Sequence, residues 1–123
     1  MDKKTEILLI KQWLKGRNYQ ACTRFINNAE RACALTGRVG QNSAVLMMFL
    51  TRKRLGYNTS MGDLSMVRTG DYPDNPYKGV ITNLTARISD LRNAGINIEL
   101  VSDTFIDGQR HTEYEFVGEI QRA

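Results

Sequence analysis

The apolar positions of the first forty residues recur at intervals of three and four, which predicts two amphipathic helices. The first covers residues 5–15 and ends at Gly16, and its apolar face comprises Ile7, Ile10 and Leu14. The second covers residues 18–35 and is closed by Gly37, because glycine readily takes the left-handed conformation at helix ends. Residues 37–42 are rich in glycine and polar side chains, so we expect a turn there and the end of an N-terminal extension.

Residues 44–55 are apolar on every side for two turns and then strongly basic. This pattern predicts a central helix that several neighbours bury, with Ser43 as its cap and Gly56 as its end. A short extended segment at residues 57–60 and a short helix that ends near Arg68 are predicted to follow.

The clearest helical stripe lies in the C-terminal half, after a predicted loop at residues 69–79 that holds both prolines. Residues 80–94 form the predicted helix, and its buried face comprises Ile81, Leu84, Ile88 and Leu91. From residue 96 the period of the apolar positions changes to two, and residues 112–117 show the same alternation. The change of period predicts a β-hairpin.

The register of this hairpin depends on the length of its turn. A three-residue loop at residues 106–108 puts the apolar side chains of both strands on one face. A two-residue loop at residues 107–108 instead sets Leu100 against Glu115, which buries a charge beside an aliphatic side chain, so the longer loop is predicted. The pairs that it predicts are Leu100 with Tyr114 and Ile98 with Phe116.

The predicted order of buried helix, short strand, short helix, amphipathic helix and hairpin is that of a winged helix. In addition, LTARISDLRNAGINIEL, from Leu84 to Leu100, resembles the third helix and first wing strand of winged helix-turn-helix domains of bacteriophages and prophages. The resemblance covers about residues 43–117, and it implies a DNA-binding fold. The long loop and the basic helices ahead of Gly37 depart from the compact pattern of these domains.

We therefore expect an α+β, mainly helical fold: a winged helix, with a three-helix core and a C-terminal β-hairpin wing, and an N-terminal two-helix extension. The predicted divisions are a basic helical extension at residues 1–40, the winged helix-turn-helix domain at 41–117 and a C-terminal tail at 118–123. A length of 123 residues suits one compact domain with an appendage. The longest apolar run, residues 44–50, is too short to span a membrane, so we expect a cytoplasmic protein without a membrane partner.

Charge is distributed unevenly along the chain. Residues 1–60 hold eleven Lys and Arg against three Asp and Glu, a net of +8, whereas residues 61–123 hold six against ten, a net of −4. A basic surface attracts phosphate because binding releases condensed counterions, so the first half favours a nucleic-acid partner. The same cations can also serve only to solvate helix faces.

If the aliphatic stripe of the helix at residues 80–94 faces the core, short polar side chains turn outward on the opposite side. We interpret that side as the surface that enters a major groove of double-stranded DNA, because asparagine can pair with adenine and threonine can contact a thymine methyl. Asp90 opposes this interpretation, since a carboxylate repels phosphate unless an arginine neutralises it. The residues of this helix that are predicted to contact DNA are Thr82, Asn83, Ala86 and Arg87.

Further candidate contacts come from polar and basic residues elsewhere in the chain. They are Lys78 ahead of the helix, and Gln109 and Arg110 beside the wing turn. The run Arg52, Lys53 and Arg54 either contacts phosphate or only stabilises the end of its own helix, where cations favour the helix dipole. The cations of residues 1–40 either grip flanking DNA or bind an acidic protein.

The chain shows no group of residues that indicates catalysis. One histidine and two cysteines cannot build a zinc cluster, and no phosphate-binding loop or nucleophile motif is present. The cysteines, Cys22 and Cys33, lie about 16 Å apart along one predicted helix, too far for a disulfide. We therefore expect neither an enzyme nor a bound metal or cofactor.

Two hypotheses about function remain open from the sequence. The leading one is a small phage-type DNA-binding protein, a transcriptional regulator that acts as a monomer or as a homodimer on double-stranded DNA. The alternative is a phage-encoded protein-binding module that docks on a host enzyme or defence complex through a winged-helix scaffold.

Overall fold

The computed structural model describes residues 3–62, 64 and 83–119 of the chain. Within these residues the fold is α+β and mainly helical, with four bounded helices and a three-stranded antiparallel sheet. The helices are α1 (Lys3–Leu14), α2 (Gln20–Thr36), α3 (Gln41–Arg54) and α4 (Leu84–Asn93). The strands are β1 (Thr59–Ser60), β2 (Ile96–Ile106) and β3 (Gln109–Glu119). Between β1 and α4, Met61, Gly62 and Leu64 are also helical.

Helix α3 lies at the centre of the core. Its residues 44–50 are at most 2% exposed, and α1, α2, α4 and the sheet all pack against it. This burial on all sides explains why the sequence shows no polar stripe there. Although α3 is strongly apolar, no helix within the described part of the chain is long and apolar enough to cross a bilayer.

One hydrophobic cluster joins the apolar side chains of all four helices with those of both long strands. The two N-terminal helices therefore share their core with the elements that follow residue 40. The division of the chain into a separate extension and a winged domain at that residue stays a prediction.

Two buried polar side chains of α1 fix its position. Lys3 is 9% exposed, and its Nζ donates a 2.6 Å hydrogen bond to the carbonyl oxygen of Gly37 at the end of α2. Glu6 is 6% exposed and accepts a hydrogen bond from the hydroxyl group of Thr51 on α3. Each bond satisfies a polar group that burial would otherwise leave without a partner. These two charged residues therefore anchor α1 to its neighbours.

The strands of the sheet have the order β1-β3-β2, so β3 is central and β2 is an edge strand. β1 joins the sheet through Thr59, which is buried opposite Tyr114. The ring of Tyr114 meets the ring of Phe49 edge-on, with 6.4 Å between the two centroids. This contact fastens the central strand to α3.

The start of α2 packs on the other end of β3. The ring of Tyr19 lies edge-on to Phe116, with 5.6 Å between centroids, and a Cβ atom on Gly118 would lie 3.3 Å from that ring. Gly118 also has a φ angle of 128°, which L-residues with a side chain rarely adopt. Glycine at this position permits both the backbone conformation and the close approach of Tyr19.

The turn of the hairpin differs from the prediction. Asp107 and Gly108 form a two-residue turn, with Ile106 opposite Gln109. Both turn residues have positive φ angles, of 53° and 78°, as a type I′ turn requires, and Asp-Gly is a preferred pair for that turn. The predicted three-residue loop at residues 106–108 is therefore wrong.

A β-bulge restores the register that the longer loop was expected to give. The pairing shifts by one residue between Leu100 and Ser102, so Val101 has no partner opposite it. The sequence-based prediction assumed that the turn alone sets the strand register. In the structure, the bulge at Val101 on β2 accommodates the extra residue instead. Beyond the bulge the structure confirms both predicted pairs, Leu100 with Tyr114 and Ile98 with Phe116.

Four predicted helices are confirmed, with corrections at the start of two. Helix α3 begins at Gln41, so Ser43 is not its cap but lies in the first turn, where its hydroxyl donates to the carbonyl oxygen of Phe25 at 3.4 Å. The helix predicted at residues 80–94 is α4, which begins at Leu84. The predicted loop at 69–79 lies outside the described residues, as do the end of the short helix and Ile81.

The cysteines are free, as predicted, and both are buried on α2. Burial raises the pKa of the Cys22 thiol to about 12, and the nearby carboxylate of Glu119 contributes to the rise. This thiol therefore stays protonated at neutral pH and has little nucleophilic character.

A matched pair of leucine variants tests the central position of α3. Leu46→Ala is expected to lower the free energy of unfolding by about 3–5 kcal/mol, because this side chain is fully buried on α3. Leu35→Ala, at a position that is 85% exposed on α2, is expected to change it by less than about 0.5 kcal/mol. Urea unfolding followed by far-UV circular dichroism measures both losses, and equal losses would contradict this packing.

Candidate nucleic-acid interface

Helix α4 presents two faces of different chemistry. Leu84, Ile88 and Leu91 are buried against the core. Ala86 and Arg87 are partly buried. At about 100° per residue, Ala86 lies about 200° around the helix from Leu84, on the outer face, and Arg87 lies at the side. The outer face carries mostly short polar side chains, which allow a partner to approach the helix closely. The exposed residues of this face are Thr85, Ser89, Asp90 and Asn93.

Asn83 is the N-cap of α4 and not a residue of its outer face. Its φ angle of 51° is left-handed, which asparagine tolerates, and its Oδ1 accepts a 3.1 Å hydrogen bond from the backbone N–H of Ala86. An asparagine that pairs bidentately with adenine accepts a hydrogen bond with the same oxygen. The role predicted for Asn83 therefore competes with the cap, and its side-chain nitrogen is the atom that can donate to a partner.

Asp90, the one acidic residue on the outer face of α4, is neutralised by a neighbouring arginine. Arg87 Nη2 lies 3.3 Å from Asp90 Oδ2, and Asn42 at the start of α3 donates to the same oxygen, also at 3.3 Å. Asp90 thus has the neutralising arginine that a DNA-facing helix requires. The sequence did not predict the contact between Asn42 and Asp90, because the two residues are 48 positions apart and no local pattern links them.

Arg92 holds the hairpin in a fixed orientation relative to α4. Its Nε and Nη2 both donate to the carbonyl oxygen of Ile98 on β2, at 2.9 and 2.7 Å. This bidentate hydrogen bond joins the last turn of the helix to the start of the hairpin. The start of β2 is therefore fixed against the last turn of α4.

The hairpin tip carries the two wing residues that are predicted to contact DNA. Gln109 is exposed beside the turn. Arg110 is exposed too, but its Nε and Nη2 each lie 2.7 Å from an oxygen atom of Asp103 across the hairpin. The hydrogen bonds from Arg110 lower the pKa of Asp103, and the same bonds raise the pKa of Arg110. The Asp103 carboxylate neutralises Arg110 and so weakens its attraction for a phosphate group.

The basic run at the end of α3 makes contacts within the molecule. Arg52 Nε donates to the carbonyl oxygen of Asn58 at 2.8 Å, and Lys53 Nζ lies 2.8 Å from Glu115 Oε1 on β3. Arg54 is partly buried, and its Nε has no hydrogen-bond partner within the described residues. The contacts of Arg52 and Lys53 tie the helix end to the segment before β1 and to the sheet. They favour the structural role of this run over the phosphate contacts.

The cations of the two N-terminal helices divide into those with and those without a partner. Lys11 pairs with Glu30, and the guanidinium group of Arg17 lies over the ring of Trp13, 4.2 Å from its centroid. Besides Arg17, five exposed cations of residues 3–40 make no ion pair with an acidic side chain of the described residues, and these are Lys4, Lys15, Arg24, Arg31 and Arg38. Arg31 donates a hydrogen bond to Asn28. The unneutralised positive charge of the described chain lies largely on this part of the molecule.

The structure brings together only part of the predicted site. Lys78 and Thr82 lie outside the described residues. Ala86 and Arg87 lie on α4, next to the Asn83 cap. Helix α3 meets α4 at the contact between Asn42 and Asp90. The basic run at residues 52–54 is about 15–18 Å farther along α3 from that contact. Thr85 is an exposed residue of α4 that the sequence analysis missed, because its helical-wheel count assumed a helix that already includes Ile81.

The ion pair at the hairpin tip gives a pH-dependent prediction. We expect the carboxyl group of Asp103 to titrate below its ordinary pKa of 3.8. Because the folded-state pKa is lowered, the contribution of the pair to stability is present at neutral pH and is lost as the pH falls through that pKa. In Arg110→Ala the pKa of Asp103 should return toward 3.8, as NMR titration of its carboxyl carbon measures. An unchanged titration would contradict the pairing in solution.

The described residues and the comparisons with known proteins add no independent indication of chemistry. Within residues 3–62, 64 and 83–119, no three His, Cys, Asp or Glu side chains are grouped so that they can hold a metal ion. No protein-family model, curated protein or solved structure matches the chain.

Proposed function

We propose that this chain is a small DNA-binding protein of winged-helix architecture, a phage-type regulator of transcription, whose helix α4 enters a groove of the duplex. The observation that carries the proposal is the exposed polar face of α4, which lies opposite three buried aliphatic side chains and precedes the hairpin directly. Short polar side chains suit the major groove, because they permit close approach and form hydrogen bonds with base edges.

The connectivity of the sheet supports the winged-helix part of this proposal. β1 follows α3 along the chain and pairs with β3, so the segment between two helices closes onto the hairpin. The helical residues after β1 and then α4 complete the order of a winged helix-turn-helix domain.

Each residue of the proposed interface has a role. Thr85, Ser89 and Asn93 contact base edges, and Arg87 contacts a phosphate group while its Nη2 stays paired with Asp90. Gln109 contacts the duplex from the hairpin tip. The two further contacts predicted from the sequence, Lys78 and Thr82, lie outside the described residues. Arg38 makes no ion pair within the described residues and lies four residues before Asn42, which contacts Asp90. We therefore expect about three phosphate contacts, those of Arg87, Lys78 and Arg38.

Fluorescence anisotropy of labelled duplexes at a series of salt concentrations tests this proposal. With three phosphates neutralised, the logarithm of the binding constant should fall against the logarithm of salt concentration with a slope of about −2.7. A duplex enriched from a random pool should bind more tightly than random duplex at the same salt concentration. The absence of binding to both duplexes, or equal binding of both, would contradict a sequence-reading role.

Two isosteric variants locate the interface in the same assay. Asp90→Asn removes the only carboxylate from the outer face of α4 and should tighten binding by about 3–10-fold at low salt. Glu30→Gln removes a carboxylate of similar exposure from α2, where it pairs with Lys11, and should leave the affinity unchanged. A gain of affinity cannot arise from misfolding. If Glu30→Gln tightens binding and Asp90→Asn does not, the duplex contacts the N-terminal helices instead of α4.

A further inference from the structure

A groove between α1 and α2 lies outside the proposed DNA contact. It consists of two adjoining clefts of about 360 and 330 Å³, and Lys11 lines both of them. The first cleft is lined mainly by apolar side chains, those of Ile7, Leu8, Cys33 and Ala34. In the second cleft Leu14 and Ile26 form the apolar floor, and polar side chains such as Gln12 and Asn27 form its sides. The groove is open to solvent, so it can admit apolar side chains of a partner.

The rim that α1 gives to this groove is basic. Lys4, Lys11 and Lys15 are separated by seven and four residues, so they lie along one side of α1 over about 16 Å. The N–H of Lys15 donates to the carbonyl oxygen of Lys11, which continues the helical turn past Leu14. Leu8 falls in the same stripe and is 55% exposed. The rim thus combines three cations with one large apolar side chain.

The contact between Lys11 and Glu30 shows that a carboxylate can bind to the lysine rim of the groove. Its carboxylate bonds to Lys11 across the groove, and the two side chains are 52% and 41% exposed. An ion pair this exposed contributes little to stability, so a carboxylate of a partner can replace Glu30 at small cost. Lys4 and Lys15, at the two ends of the stripe, make no ion pair within the described residues, and each offers a cation to an incoming acid.

The dimensions and chemistry of the groove fit a helix better than a duplex. A DNA backbone can satisfy the lysines but leaves the apolar surface of both clefts unfilled. An amphipathic helix of three turns is about as long as the lysine stripe, and apolar side chains at every third or fourth position can enter the two clefts in succession. Glutamate or aspartate beside those apolar positions then reaches the three lysines.

We infer that the α1–α2 groove is a docking site for an acidic amphipathic helix of a partner protein. This site is separate from the outer face of α4, so a partner helix and a duplex can bind at the same time. The groove would let a second protein join the complex that the proposed function places on DNA.

The test uses the full chain and a fluorescein-labelled synthetic helix of sixteen residues, with leucine at every third or fourth position and glutamate beside each leucine. Fluorescence anisotropy should give a dissociation constant of about 10–100 μM. Two control peptides test separately whether binding requires the acidic side chains and whether it requires the helical spacing of the leucines. One carries glutamine in place of every glutamate, and the other keeps the composition but scatters the leucines. Both should bind at least about 5-fold more weakly.

Three variants map the peptide to the groove. Lys15→Glu should weaken binding of the acidic peptide by about 3–10-fold, and Glu30→Gln should tighten it by about 2–5-fold because Lys11 loses its competitor. Asp90→Asn, which is expected to affect the duplex, should leave the affinity for the peptide unchanged. Since all three residues are exposed, equal urea midpoints can verify that each variant folds.

Several outcomes would overturn the inference. They are the absence of binding at about 1 mM peptide, equal binding of the scattered-leucine peptide, and an affinity that Lys15→Glu does not change. Displacement of the peptide by random duplex DNA would assign the groove to nucleic acid, and preferential binding to anionic phospholipid vesicles would assign it to a lipid surface. Failure of the DNA proposal leaves this test intact, because the peptide probe and the two variants expected to change its affinity, Lys15→Glu and Glu30→Gln, do not involve α4.

Discussion

The complete burial of seven consecutive apolar residues of α3, residues 44–50, is the constraint on which the rest of the structure depends. A helix that is apolar on every side is stable in water only when neighbours cover all of it, and each of its large side chains contributes about 1.5–3 kcal/mol on burial. α1 and α2 cover part of it, and α4 and the sheet cover the rest. Because α4 must turn Leu84, Ile88 and Leu91 toward α3, its polar side faces solvent.

The parts of the fold that depend on periodicity were predictable from the sequence. The apolar intervals gave four helices and the two long strands, and burial of Ile98 and Phe116 on one face gave the correct strand pairs. The turn was mispredicted because a bulge at Val101 and a shorter turn produce the same pairs. Asn83 was misplaced because capping depends on the backbone conformation at the helix start, which a stripe of apolar residues does not report.

The candidate site was less predictable than the fold, because charge in the sequence does not tell which cations are already paired. Lys53, Arg87 and Arg110 all looked like phosphate ligands, yet each has a carboxylate partner, and those of Lys53 and Arg110 lie on other elements. Within residues 1–60, Lys53 is paired with Glu115, which lies outside that range, so the net charge of +8 overstates the charge available to a ligand. Two surfaces remain: the polar outer face of α4, and the groove of α1 and α2 with its lysine rim.

The central functional claim is that α4 presents its outer face to a duplex, and an NMR footprint tests it most directly. In the ¹⁵N-labelled full chain, addition of a short selected duplex should shift the amide resonances of Thr85, Ser89 and Asn93 and those beside Gln109. The resonances along the groove of α1 and α2 should not move. Shifts confined to residues 3–36, with α4 unchanged at saturating duplex, would contradict the account.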